Sequence, residues 1–311
     1  MNNNIFIFSF SRSGSTLLCN LLNNNENINL INETWLIPTV SILGWKNINY
    51  NKQKYLLYLF NKSQKNNKKH KKISINICVK KQIPINEFYK KLFNINTKFI
   101  GEKNPVNTLH IDFINDNFNN SKKIFLSRNP LSIANSYKNR WLKNQPSHYF
   151  LYRVTVLIKT YFNSYYKYIS ENNLKTIKYE DLICDTSKTL KNICQYLNVE
   201  YDEKMKDNLN KLFLDKETKK HHQNIDKKVN TESLDRYLNE LPTEEIEDLK
   251  FLLRDIMSFF GYKKNKEIPT KKLLKLEDKI NKRVRFNKSK TKKTLLKIKY
   301  NLYYIKYLIS G

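Results

Sequence analysis

Glycine is scarce in this chain, with five residues among 311, and proline, at seven, is hardly more common. That scarcity excludes collagen-like and glycine-rich low-complexity architectures. It also means that a glycine inside a motif has to be explained. There are four cysteines, Cys19, Cys78, Cys184 and Cys194, and none forms a C-x-x-C pair. No Cys/His spacing suggests zinc, so a metal is not expected and neither is a disulfide framework. A reducing, cytoplasmic setting is the expectation. No apolar run reaches the roughly 18 residues that a bilayer span needs. The opening MNNNIFIFSF has no basic n-region, so a secretory signal peptide is not expected.

Acidic residues are also few, 28 against 57 lysines and arginines, for a net charge of +29. The surplus is uneven: Lys263 to Gly311 holds 17 basic and 3 acidic residues, a net +14. Such a charge suits a polyanionic partner, but runs such as KNNKKHKK equally fit Asn/Lys compositional bias. A specific nucleic-acid site is not expected. Hydrophobic residues make up 40% and aromatics 13%, enough for a globular core.

Four short apolar runs read as strands: Ile5 to Phe10, Lys98 to Ile100, Lys123 to Ser127 and Lys175 to Lys178. Helical patterns lie between them, at Ser15 to Asn24, Val106 to Phe118, Leu131 to Leu142 and Tyr149 to Glu171, with further helices at Thr186 to Leu197 and Thr243 to Phe260. Asn51 to Lys72 reads as a Lys/Asn-rich insertion or loop. The alternation predicts an α/β fold, with a P-loop-type parallel sheet flanked by helices. The fold proper is expected to end near Tyr262. Beyond it, residues 263 to 311 form a basic helical extension, with helices near Lys271 to Ile280 and Thr294 to Ile309.

Sheets of this kind bind ligands at the carboxyl ends of their strands, and the polar motifs fall there. IFIFSFSRSGSTLL reads as strand, tight loop and helix. Laid on an ATP-type loop it keeps Gly14 and Thr16 but has Ser15 where the lysine would stand. The N–H groups of Ser13, Gly14, Ser15 and Thr16 can still converge on an anion at the helix N-terminus. Without the lysine arm the loop suits one 5′-phosphate, and Arg12 supplies charge to a group attached to it. In SRNPLSIANSYKNRW, Arg128 stands at a strand end, Pro130 opens a helix, and Ser136 and Arg140 are four apart. Arg128, Ser136 and Arg140 suit a second phosphate; the alternative is a structural arginine at a helix start and a solvated Arg140. Two grips on one sheet edge point to a nucleotide phosphorylated at both ends. A phosphotransferase with a P-loop and a non-enzymatic polyanion-binding protein are the competing readings.

SRSGSTLL followed by SRNPLSIANS resembles the 5′-phosphosulfate loop and 3′-phosphate motif of sulfotransferases that use 3′-phosphoadenosine 5′-phosphosulfate (PAPS). Among them the motifs are most similar to those of tyrosylprotein sulfotransferases and related bacterial enzymes. NETWLIP, EKNP, IKYEDL, KKVNTESLDRYLNELP and FFGY carry the likeness in order, over about Ile5 to Tyr262. The resemblance implies PAPS as co-substrate, no metal, and transfer of a sulfuryl group to a hydroxyl of protein tyrosine, a glycan or a small molecule. It implies Glu33 as general base, with Lys103 and Arg12 stabilising charge on the moving group. It further implies Tyr179 against the adenine, with core packing as the alternative, and Arg236 at the position of a nucleotide-contacting lysine. Asn32 and Asn104 replace acidic residues of the family pattern, which leaves the acceptor open. His110, inside a helical pattern, is expected to pack rather than to act as a base. The tail segment TLLKIKYNLYYIKYLI suits an anionic membrane surface, a partner subunit such as a second copy in a homodimer, or the chain's own core.

Overall fold

The architecture comes from a computed structural model that describes residues 3–64, 73–93, 97–206, 232–262 and 269–310. Five parallel strands form the central sheet: β1 (Asn3–Ser9), β2 (Ile28–Asn32), β5 (Phe99–Lys103), β6 (Lys122–Ser127) and β7 (Leu174–Lys178), in the order β2-β5-β1-β6-β7. A separate antiparallel pair joins β3 (Asn47–Ile48) to β4 (Ile83–Pro84).

The period of two in β1 decides the layering. Phe6 and Phe8 enter one hydrophobic core, while Ile5 and Ile7 enter the other. β6 does the same, with Phe125 on the first side and Ile124 and Leu126 on the second. Helix α1 (Ser15–Asn23) and the helices Tyr179–Cys184 and Thr186–Leu197 cover the second face through Leu18, Leu22, Leu182 and Ile193. The first face is covered by residues of α2 (Leu36–Leu43), α3 (Tyr50–Ser63), Ile85–Phe93, Ile111–Asn117 and the long helix Ser147–Tyr166. Strands buried on both sides read as short continuous apolar runs, which is why β1 and β6 were legible. Gly101 in β5 is needed for packing: a Cβ there would lie 1.7 Å from the carbonyl oxygen of Ile5 on the neighbouring strand.

The structure departs from the sequence reading in three places. Ile28–Asn32, an apolar run that the sequence leaves open between strand and loop, is a full edge strand, so the sheet has five strands rather than four. The second predicted strand begins at Phe99 and runs on to Lys103, which places that lysine on the strand itself. The presumed loop at 51–72 contains α3, capped by Asn49, whose side chain accepts from the Lys52 N–H; residues 65–72 lie outside the described residues. Tyr55, Leu56, Leu57 and Phe60 bury one face of α3 beneath a lysine- and asparagine-rich exterior. Its apolar positions at helical spacing outweigh its poor composition.

In the tail, the helix Lys271–Lys288 packs against Ser147–Tyr166, burying Leu273, Ile280 and Val284 in the first core. Glu277 accepts from Arg254 at 2.8 Å and approaches Lys159 at 3.8 Å. The following helix, Lys290–Ser310, sets Tyr304 edge-on to Trp45, with ring centroids 4.9 Å apart. One face of this helix therefore packs on the chain's own body.

Candidate active site

Parallel register brings the carboxyl ends of all five strands to one rim. Asn32 pairs with Lys103, Lys103 with Ile7, Ser9 with Leu126, and Ser127 with Lys178. The residues that follow each strand end, Glu33, Arg12 to Gly14, Arg128 and Tyr179, are therefore neighbours although up to 167 positions apart, and Lys103 ends β5 among them.

The loop after β1 turns through left-handed backbone at Arg12 (φ 71°) and Gly14 (φ 85°), and α1 begins at Ser15. Gly14 is required twice over. Its φ disfavours a side chain, and a Cβ there would meet the Tyr179 ring at 2.3 Å. Tyr179, expected either against an adenine or in core packing, lies against Gly14 of the loop, with the Arg128 guanidinium 4.3 Å above its ring.

The two sequence-predicted grips form one cluster. Arg128 Nη1 donates to the main-chain carbonyl of Arg12 at 3.2 Å, and Arg12 Nε donates to Ser136 Oγ at 3.1 Å. Arg12 and Arg140 share Trp141, their guanidinium carbons 5.7 and 4.9 Å from its ring centroid. Burial, then the charges of Arg140 and Arg128, push Arg12 down to about 10, an effect that Glu33 partly opposes. Burial also lowers Arg128 and Arg140. Nε and Nη1 of Arg140 and the hydroxyl of Ser13 are buried with no hydrogen-bond partner among the described residues. Three crowded guanidinium groups, with donors of Arg140 left over, are what a polyanion would stabilise. Arg140 lies in a π-helical turn, Lys138–Leu142, that continues the helix Pro130–Tyr137. The wider turn changes the simple four-residue spacing that the sequence suggested.

Glu33 sits beyond the end of β2 in left-handed backbone (φ 49°), its N–H held by the Lys103 carbonyl at 2.9 Å. Lys103 Nζ donates to Glu33 Oε1 at 2.8 Å and to Thr16 Oγ1 at 3.1 Å. The lysine is buried (2% exposed), whereas the Glu33 side chain is 49% exposed. The ammonium therefore bridges the phosphate-loop helix and a carboxylate that solvent or an acceptor can reach.

Three supporting groups escaped the sequence reading. Glu102 is buried, accepts from the Thr34 N–H at 2.9 Å and so shapes the turn that carries Glu33. Desolvation pushes its carboxyl above the usual range. Glu180 accepts from the Asn129 N–H and from Tyr262 Oη, each at 2.8 Å, which locks the turn after Arg128. Trp141 carries the two arginines. Glu102 and Glu180 lie inside EKNP and KYEDL, beside residues already singled out, and that adjacency was the available signal.

Two sequence-predicted residues stand apart. Arg236 is half exposed and donates to Glu240 through Nε and Nη2, at 3.0 and 2.6 Å. It meets the cluster only as a charge that lowers Arg128. His110 is partly buried and bonded to Ser41 Oγ at 2.9 Å, in keeping with the packing part expected of it. Residues 227–231, part of the KKVNTESLDRYLNELP motif, lie outside the described residues. Among the described residues no group of three or more His, Cys, Asp or Glu side chains could hold a metal ion.

Comparison with known proteins gives one family match: the model of the Sulfotransferase family aligns with residues 4–203. No curated protein sequence matches the chain. The sulfotransferase domain from the curacin biosynthetic pathway superposes with a TM-score of 0.58 at 20% identity, covering 85% of this chain and 99% of that one. The sulfotransferase domain from the Synechococcus PCC 7002 olefin synthase gives 0.56 at 23% identity, covering 86% and 96%. Mouse sulfotransferase SULT7A1, solved in complex with PAP, gives 0.45 at 14% identity, covering 82% and 85%.

Proposed function

Because this chain belongs to the sulfotransferase family, we propose that it transfers the sulfuryl group of PAPS to a hydroxyl acceptor, with Glu33 as general base. One observation carries the reading. Lys103 Nζ reaches both Glu33 and Thr16 beside a cluster of three arginines in which Nε and Nη1 of Arg140 have no partner among the described residues.

The residues present fit a doubly phosphorylated adenosine. Ser13 to Thr16 and the N-terminus of α1 would hold the 5′ end, and Arg128, Ser136 and Arg140 the 3′-phosphate. When bound, PAPS supplies an activated sulfuryl group on a single 5′-phosphate, which accounts for an opening loop without the triphosphate-binding lysine. Arg12 stands between the two grips, bonded to Ser136, and neutralises charge from the nucleotide side. Lys103 does so from the side of Thr16.

Glu33 accepts the acceptor's hydroxyl proton on its carboxylate, making the oxygen nucleophilic as the proton leaves. Its half-exposed position allows the approach of a hydroxyl, and its left-handed backbone turns it over the rim. The Lys103 ammonium holds Glu33 Oε1 in place before the acceptor arrives. Trp35, two residues beyond Glu33 in the same turn, is 45% exposed, which leaves an apolar ring available to an acceptor.

The test is a transfer assay with labelled PAPS and panels of peptide, glycan and small-molecule acceptors, read by mass as an added sulfuryl group. Tight binding of 3′,5′-ADP together with weak binding of ATP is expected. Preference for ATP, or phosphoryl rather than sulfuryl transfer, would overturn the assignment.

A further inference from the structure

The helix Lys290–Ser310 has two opposite apolar faces, and the fold uses only one. Tyr300, Tyr304 and Tyr307 turn toward the body, where Tyr304 meets Trp45 and Tyr307 lies 5.0 Å from Tyr55, centroid to centroid. On the other side Leu295, Ile298, Leu302, Ile305 and Ile309 recur at spacings of three and four, and each is between 48% and 81% exposed. At about 100° per residue these five fall in one stripe along the axis, diametrically opposite the tyrosines. No described residue covers it. A stripe this long and continuous is more than the scattered exposed apolar residues of an ordinary surface.

Charge decides what covers it. The helix has six lysines and no acidic residue. By the same spacing Lys299 and Lys306 run along one edge of the stripe and Lys290 and Lys297 along the other. A second copy seated on this stripe would bring lysine rows together with no carboxylate on the helix to pair with them. An anionic bilayer supplies both counterparts, acyl chains for the stripe and headgroup charge for the two lysine rows. No described helix is long and apolar enough to cross a membrane, so the helix lies along the surface. We propose that Lys290–Ser310 is an interfacial helix that docks this protein on an anionic lipid surface, with the Leu295–Ile309 stripe facing the acyl chains. The proposal does not depend on the catalytic reading, since none of these residues belongs to the strand-end rim.

The experiment is co-sedimentation of the full chain with vesicles of phosphatidylcholine alone or mixed with phosphatidylserine. Binding is expected only to the mixed vesicles, and it should weaken as salt is raised. The double substitution Leu302→Asp/Ile305→Asp should reduce it at least roughly tenfold, leaving the far-ultraviolet spectrum and the thermal shift caused by 3′,5′-ADP unchanged. Should that variant misfold, Lys299→Glu/Lys306→Glu, which alters only exposed charges, must still abolish the preference for phosphatidylserine. Three outcomes overturn the proposal. They are undiminished vesicle binding by both variants, no binding by the parent protein, and a dimer in light scattering that Leu302→Asp/Ile305→Asp dissolves without any lipid association.

Discussion

Lys103 Nζ lies 2.8 Å from Glu33 Oε1, and the two residues come from adjacent strand ends 70 positions apart. One partner is buried and the other is open to solvent. Glu33→Gln keeps an oxygen that can accept from the buried Lys103 ammonium, and Lys103→Met removes the buried charge outright, so neither variant leaves that charge without a partner. Glu33→Gln should keep 3′,5′-ADP affinity and lower turnover by about 10²–10⁴-fold. Lys103→Met, which fills the same buried space, should lower turnover by roughly 10²–10³-fold. Isothermal titration and a single-turnover transfer assay check the split. Full turnover in either variant removes that residue from the chemistry.

Three guanidinium groups sharing one pocket repel each other until an anion arrives. Arg140→Gln should therefore leave the ligand-free melting temperature unchanged or raised, while weakening 3′,5′-ADP by about 10–100-fold, the worth of a charge-assisted bond. Parent protein at a hundredfold excess over Kd should gain about 2.7 kcal/mol from the nucleotide. Scanning fluorimetry with and without ligand shows both effects. A variant that melts earlier without ligand yet binds as tightly as the parent would contradict the assignment of Arg140.

Two glycines in left-handed backbone allow a controlled comparison. At Gly44 (φ 71°) nothing lies within 4 Å of an added Cβ, whereas at Gly14 the Tyr179 ring is 2.3 Å away. Gly44→Ala should cost only backbone strain, about 1–2 kcal/mol. Gly14→Ala should cost more than that and also weaken 3′,5′-ADP, since either the loop or the ring must move. Chemical denaturation and nucleotide titration of the two variants read the difference. Equal costs would mean that Tyr179 yields freely.

His110 gives a pH signature independent of catalysis. Burial, helped by the charge of Lys293, holds it down to about 4, against an ordinary value near 6.5. The folded protein keeps this imidazole neutral, while the unfolded chain protonates it below about 6.5. Its contribution is therefore whole above that pH and is lost as pH falls toward 4, a loss of roughly 3 kcal/mol when complete. In His110→Gln, which keeps a partner for Ser41, denaturant midpoints should fall less between pH 7.5 and 5 than in the parent. Parallel curves would show that the ring is not held neutral.

The sequence reached the turns after β1 and β6 more easily than the surroundings of Glu33. Ile5, Phe6, Ile7 and Phe8 advertise a strand buried on both faces, and Arg12 to Thr16 follow it in a stretch too polar to be anything but a turn and a helix start. Arg128 and Pro130 are punctuated in the same way. Glu33 could be singled out, but its contact with Lys103 could not, because it depends on β2 pairing beside β5 and on a left-handed turn at a non-glycine residue. α3 was hidden by its lysines and asparagines, which suggest a loop until Tyr55, Leu56 and Phe60 are placed on one face. Arg236 is placed by its motif alone, and what the motif did not reveal is that Glu240, four residues on, pairs with its guanidinium.

Arg128 reaches the main-chain oxygen of Arg12, not its side chain. One end of that contact is backbone, so the loop after β1 and the turn after β6 are tied together before any ligand arrives. Were the two grips to hold the two ends of one nucleotide as proposed, this tie would favour ligands whose anionic ends match its span, and 2′,5′-ADP should bind more weakly than 3′,5′-ADP.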